Sequence, residues 1–343
     1  MKLLVLGGTR FLGRHVVDAA LARGDDVTVF TRGRQPNHWG DRVDARTGNR
    51  DPAIPPGLDA LADGAWDAVV DTSGYVPRIV RASAELLAPR AGRYLFVSSL
   101  SVYADTVAPG LTESAAVGVL ADPATEEVAK HYGPLKAACE RAVTEVLGDR
   151  ALHVRPGLIV GPHDPTDRFG YWVARFVHPR LLGDRAPEAV VPAPPERPIQ
   201  FIDARDLAAW MLALVAGGAC GVFNATSAAG RWTFGHLVDA AIGVAGAGAP
   251  RPAWTGDDVL VERKVEPWTG LPLWLPATMS DVAGFMAFDC AKAQAAGLAT
   301  RALSATIADT AQWLAQRDNA GAWKDVLSAD AEREILAARA GAA

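Results

Sequence analysis

A chain of 343 residues, 50% hydrophobic and 21% charged, is long enough to bury a large core as one big or two modest domains. A net charge of −5 without any long basic run disfavours nucleic acid and membrane surfaces as partners, and no stretch approaches the roughly 18 apolar residues of a membrane span. Three scattered cysteines, Cys139, Cys220 and Cys290, and an N-terminal apolar run too short for a secretion signal point to a cytoplasmic protein with reduced thiols, no disulfide framework and no metal cluster.

The first element is the apolar run 3–6, which reads as a buried parallel strand. It runs into Gly7 and Gly8, and Gly13 follows. Val16, Val17, Ala20 and Leu21 then share one face of a helix. Glycines let a ligand approach the backbone closely, and a helix N-terminus offers free N–H groups and partial positive charge to a phosphate. Strand, glycine turn and helix form a dinucleotide-binding opening, although the spacing is not G-x-G-x-x-G. A tight turn without a ligand is the alternative.

Further strands are expected at 25–32, 66–74, 93–103 and 151–161, with helices between them, one at 76–88. This alternation predicts an α/β fold with a doubly wound, Rossmann-type parallel sheet. Residues 178–198 are proline-rich and loop-like. Strand and helix resume at 199–215, a short strand follows at 221–226, and 251–276 carries Trp and Pro without clear periodicity. The expected division is a dinucleotide-binding domain of 1–160 and 199–228, and a smaller substrate lobe of 161–198 and 229–343.

Chemistry concentrates in "SSLSVY" followed by "HYGPLKAACE". Tyr132 and Lys136 are four apart and share a helix face. Pro134 fits only in a first helical turn, which puts Tyr132 at the helix entrance. A phenol is a poor acid–base group near neutrality, and a nearby ammonium would lower its pKa. Ser99 lies at the end of an expected parallel strand, where open α/β sheets bind ligands, and could hold a substrate oxygen.

In these segments the sequence resembles the short-chain dehydrogenase/reductase superfamily, in the extended or atypical branch that includes the NAD-dependent epimerase/dehydratase group. The resemblance runs from "GGTRFLG" through "FVSSLSVYAD", "YGPLKAACE", "VRPGLIVGP", "QFIDARDLA" and "VFNATS" to "FDCAKAQAAGL". It implies a catalytic triad of Ser99, Tyr132 and Lys136. It also implies a cofactor path along Gly7, Gly8, Thr9, Arg10, Phe11, Leu12 and Gly13. Asn49 would stand near the adenine, Ser73 and Gly74 by the nicotinamide-side ribose, and Pro156, Gly157 and Leu158 beside the nicotinamide, with Tyr132 and Lys136 also touching the cofactor.

Departures from that pattern carry information. NAD-selective members have an acidic residue at the end of the second strand, whereas this chain reads Thr31-Arg32-Gly33-Arg34. Arg10, Arg32 and Arg34 could gather a 2′-phosphate, so NADP(H) is favoured and NAD(H) remains open. Nucleotide-sugar enzymes of the family commonly have an Asn after the "RP" of this strand and an Arg before a later segment. Here Gly157-Leu158 and Ile199-Gln200 stand in those places. Candidate substrate contacts are His163, Asp164, Asp167 and Arg168, with Tyr171, Trp172, Trp268 and Trp274 as pocket walls. Internal loop contacts and plain core are the alternatives for these two groups.

Three classes of function remain. The first is NADPH-dependent reduction of a carbonyl, or the reverse alcohol oxidation, on a small metabolite. The second is an epimerase or dehydratase acting on a (nucleotide-)sugar with retained NAD, and the third is a non-catalytic nucleotide-sensing or RNA-associated binder. The lost sugar-phosphate markers and the arginines favour the first. The small residues Ala137, Ala138 and Ala142 would permit a homodimer through the Tyr-Lys helix, or serve internal packing.

Overall fold

The structure, a computed structural model, describes residues 1–317, 323 and 325–341; the remainder of the expected 229–343 segment lies outside the described residues. The chain opens with β1 (Lys2–Leu6), α1 (Phe11–Ala22), β2 (Asp26–Thr31), β3 (Asp44–Thr47), β4 (Trp66–Asp71), α2 (Pro77–Leu87) and β5 (Ala91–Val97). It continues through α3 (Val128–Leu147), β6 (Ala151–Pro156), β7 (Leu158–Val160), α4 (Arg168–Val177), β8 (Glu188–Pro192), β9 (Pro198–Ile199), β10 (Phe201–Asp203), α5 (Ala204–Ala216) and β11 (Gly221–Ala225). A seven-stranded sheet of order β11-β6-β5-β4-β1-β2-β3 is parallel throughout. It is a Rossmann-like α/β fold.

Alternation along β1 explains why this strand sits at the centre. Leu3 and Val5 pack with Val16 and Val17 of α1 and Leu207 and Met211 of α5 on one face. Leu4 and Leu6 pack on the other face with Val80 and Leu87 of α2 and Val143 and Leu147 of α3. Strand side chains alternate between faces, and each face here is covered by helices, so a continuous apolar run is required. The order turns back between β1 and β4, and their C-terminal ends leave a crevice at that switch point.

A separate core lies in the C-terminal part, around Trp172, Phe234 and Trp274. The proline-rich stretch is not merely loop: β8 runs through it and pairs in parallel with β13 (Arg251–Thr255), which follows β12 (Trp232–Thr233) and α6 (Phe234–Ala245). The expected strand 151–161 is two strands. β6 stays in the main sheet, and β7 pairs with β10 instead. The expected strand 93–103 stops at Val97, and a 3₁₀ turn over Leu100–Val102 follows. β3 gave no sequence signal because "DART" is an edge strand without apolar alternation. Among the described residues no helix is long and apolar enough to cross a membrane.

Ala137, Ala138 and Ala142 are all buried within the chain, where they serve internal packing. The outward charges beside them pair across α2 and α3, Arg81 with Glu145 and Arg78 with Glu126 of the preceding segment.

Candidate active site

The glycine turn after β1 is tight because neighbouring chain leaves no room for side chains. Gly7 has φ +90°, and a Cβ there would sit 2.7 Å from Ser73 Oγ. A Cβ on Gly13 would lie 2.3 Å from the Gly7 carbonyl oxygen. Gly7 and Gly13 therefore leave backbone bare, and with Thr9, Arg10, Phe11 and Leu12 at the α1 N-terminus they line a cavity of about 1050 Å³. Gly8 differs from expectation: its Cβ would strike Val29 at 2.8 Å, so it serves strand–helix packing and does not line the cavity.

At the end of β2 the cavity is lined by Thr31, Arg32, Arg34 and Gln35, and Arg10 reaches it from the turn. Arg10, Arg32 and Arg34 are exposed, and none forms an ion pair among the described residues. Asn49 and Ser73 also line the cavity. Beneath them Arg50, which sequence reading missed, bonds to Asp71 and Ser83. Asp71 also accepts from the Tyr94 hydroxyl at 2.8 Å and the Ser73 amide at 3.0 Å. The only sequence hint of this buried network was a carboxylate ending an apolar strand.

The triad residues come together by a specific backbone arrangement. Ser99 caps the 3₁₀ turn, its Oγ accepting from the Ser101 amide at 3.1 Å. The α3 span is interrupted at His131 (φ −126°, ψ 30°), and helix restarts at Tyr132. Pro134 thus lies in a first turn, as its missing N–H requires. Gly133 permits the contact, because a Cβ there would be 2.0 Å from the Ser101 carbonyl oxygen. Sequence reading passed over this glycine; its position beside the Tyr was the available signal.

Tyr132 is 37% exposed, its ring 6.4 Å from that of Tyr75. Burial raises the phenol's pKa above its ordinary value, while hydrogen bonding to Ser99 and the charge of Arg168 oppose the rise. This corrects the expectation that Lys136 lowers it. The Lys136 Nζ is buried and donates to the carbonyls of Val97 at 2.6 Å and Gly74 at 2.7 Å. It also sits 4.2 Å from the Phe96 ring centroid, and desolvation brings its pKa down to about 8. Gly74 contributes this carbonyl and lies outside the cavity lining.

Pro156, Gly157 and Leu158 line the cavity with Gln200, Thr226, Trp268, Phe285, Met286 and Phe288. A Cβ on Gly157 would lie 2.8 Å from Thr226 Oγ1, and a larger side chain there has no room. The Gln200 amide is fully used by Ser227 and Phe288 backbone groups. Arg168 is on the wall, whereas His163, Asp164, Tyr171, Trp172 and Trp274 are not. Trp172 and Trp274 are fully buried because α4 and the 271–274 segment pack face to face, Trp172 Nε1 bonding to Pro272 O and Trp274 Nε1 to Asp257. Tyr171 is equally buried. His163 stands behind the glycine turn, 5.8 Å from the His15 ring.

Asp164 is 2% exposed, and burial pushes its pKa up to about 6. The folded state therefore holds a proton that the unfolded chain releases near pH 4, so stability falls as pH rises from about 4 to about 6, and the loss is complete above that. A shift of this size corresponds to about 3 kcal/mol. Asp164→Asn keeps the acceptor for the Thr166 amide. Thermal melts should show the variant more stable than wild type above pH 6, the gap closing toward pH 4. A gap independent of pH would contradict this.

The model of the NAD dependent epimerase/dehydratase family matches residues 3–225. Among solved structures, UDP-glucuronic acid 4-epimerase from Bacillus cereus in complex with NAD superposes with a TM-score of 0.64 at 15% identity, over 94% of this chain and 99% of that one. The enzyme WbmH from Bordetella bronchiseptica, in complex with NAD+, gives 0.65 at 16% identity, over 92% and 98%. At these identities the likeness is one of fold. A curated relative, the chloroplast stem-loop binding protein of 41 kDa b of Arabidopsis thaliana, is 26% identical over 184 residues, 49% of this chain and 45% of that protein. The matched stretch spans less than half the length of that relative.

Proposed function

Because this chain belongs to the NAD dependent epimerase/dehydratase family, we propose that it takes hydride from a carbinol carbon of a small hydroxylated substrate and returns it, with no net change in cofactor. The observation that carries this reading is one continuous cavity, with the glycine turn at one end and Ser99 and Tyr132 at the other. A nicotinamide dinucleotide bound along that path supplies hydride acceptance and donation. The backbone at Gly7 to Gly13 and the α1 N-terminus fit its pyrophosphate, and Lys136 and Ser73 are the residues its ribose would meet.

The rest falls to side chains of this chain. Ser99 holds the substrate oxygen, and Tyr132 Oη takes its proton as the carbon gives up hydride and returns it when the carbonyl is reduced. Arg168 favours the phenolate that this exchange requires. A sugar-like substrate is supported by the superposed NAD-bound epimerase. Gly157 and Gln200 replace the two polar handles expected for a nucleotide diphosphate, which supports a substrate without one.

Purified protein should release a dinucleotide on denaturation and convert substrate without lasting change in absorbance at 340 nm. Stoichiometric consumption of NADPH would instead establish the second reading, net carbonyl reduction. What favours that second reading is the set of three guanidiniums, Arg10 from the glycine turn and Arg32 and Arg34 after β2, without ion-pair partners among the described residues. One charge-assisted phosphate contact contributes roughly 1.5–3 kcal/mol, about one to two orders of magnitude in affinity. Arg10→Gly combined with Arg32→Ala should weaken NADPH binding by at least that factor and leave NADH binding nearly unchanged. Fluorescence titration of both cofactors checks it. A wild type that binds NADH as tightly as NADPH would return the cofactor to NAD.

A further inference from the structure

Arg168 opens α4 and lies on the cavity wall with Tyr132, Ser99 and Trp268. Its guanidinium carbon is 5.5 Å from the Trp268 ring centroid, and its Nε donates to Thr166 Oγ1 at 3.2 Å. Two acids are near, and neither forms an ion pair with it. Asp167 is bonded to Arg317, and Asp164 accepts from the Thr166 amide through one oxygen while the other is buried without a partner. Desolvation lowers the Arg168 pKa, as expected for a guanidinium taken partly out of water without a bonded counter-charge.

The backbone holding this pair is strained on both sides. Asp167 has φ 58° and Trp268 has φ 66°. A bulky aromatic residue in the left-handed region is uncommon, and such conformations persist where the surroundings over-determine them. Here they bring an indole against a guanidinium at the chemical end of the cavity. Phe285, Met286 and Phe288 supply an apolar flank to the same space. A planar guanidinium held over an aromatic ring, with donors left over, suits a planar or tetrahedral oxyanion.

We propose that Arg168, placed over the Trp268 ring, is an oxyanion-binding subsite, and that the substrate carries a carboxylate or phosphoryl group beside the carbon whose hydroxyl meets Tyr132. This rests on the proposed hydride chemistry for its placement beside the reacting carbon, but the subsite can be tested alone. The bound anion would fix the substrate's orientation against Ser99 and Tyr132 and pair with a guanidinium that has no ion-pair partner among the described residues.

The test uses calorimetric titration of the full chain with 3-phenylpropionate, phenyl phosphate and neutral 3-phenylpropanamide, each with and without NADPH. Wild type should bind at least one anion roughly 10- to 100-fold more tightly than the amide, the range of a charge-assisted contact. Which anion it prefers distinguishes a carboxylate from a phosphoryl subsite. Arg168→Gln should abolish the preference, and Arg168→Lys should keep part of it, with melting curves confirming that both are folded. Equal affinity for all three probes, including no measurable binding of any, overturns the proposal, as does a preference that survives in Arg168→Gln. If neither NADPH nor NADH binds while the anion preference persists, the cofactor reading fails and the subsite stands.

Discussion

Tyr132→Phe should lower kcat by about 10²- to 10⁴-fold, the range for removing a positioned acid–base group. The change deletes one hydroxyl at a residue whose ring already lies beside Tyr75 in the cavity wall. Dinucleotide affinity should therefore stay near wild type. Lys136→Ala should behave differently. Its Nζ bridges the carbonyls of Gly74 and Val97, and leaving a buried acceptor unpaired costs about 1–3 kcal/mol. That variant should lose stability and cofactor affinity together with turnover. Steady-state kinetics and cofactor titration on both variants separate the two roles. Turnover of Tyr132→Phe at the wild-type rate would remove Tyr132 from the proton path.

Gly133→Ala is the second large effect. The added Cβ would stand 2.0 Å from the Ser101 carbonyl oxygen, a backbone atom with no rotamer to yield. Either the 3₁₀ turn or the start of the second α3 segment must move. Overpacking of this kind costs about 1–3 kcal/mol, and the movement separates Ser99 from Tyr132. Turnover should fall nearly as far as in Tyr132→Phe, while Arg10, Arg32 and the glycine turn, on other elements, keep their dinucleotide affinity. A stable Gly133→Ala variant with unaltered kcat would mean that the Ser99–Tyr132 approach does not limit the reaction.

The nucleotide half was legible because its signals are local. A run such as residues 3–6 must be buried on both faces, and only one arrangement of strands and helices does that for a chain alternating the two. The place of Tyr132 was legible for a related reason: Pro134 can sit only in a first turn, so the entrance of Tyr132 into helix follows from covalent chemistry. The β3 edge strand and β8 were not legible. Their pairing partners lie well away in sequence, β8 with residues 251–255, and an edge or proline-rich strand carries little pattern of its own.

What the sequence determined by itself is the α/β class, the glycine turn that opens α1, the place of Tyr132 at a helix entrance and the arginines without a carboxylate after β2. Each follows from spacing along one segment. Only the tertiary structure decided which aromatic residues see the cavity. Trp172 and Trp274 carry the same indole as Trp268, yet packing between α4 and the 271–274 segment takes them into the core, while Trp268, at a left-handed position, has its ring beside Arg168. The partner of the Tyr132 phenol was also decided there. Spacing nominated Lys136, four residues on, but its ammonium is drawn to two backbone carbonyls, and the charge that opposes the rise of the phenol's pKa comes from residue 168. Charge acts through space, and the distances that set it exist only once the lobes have packed.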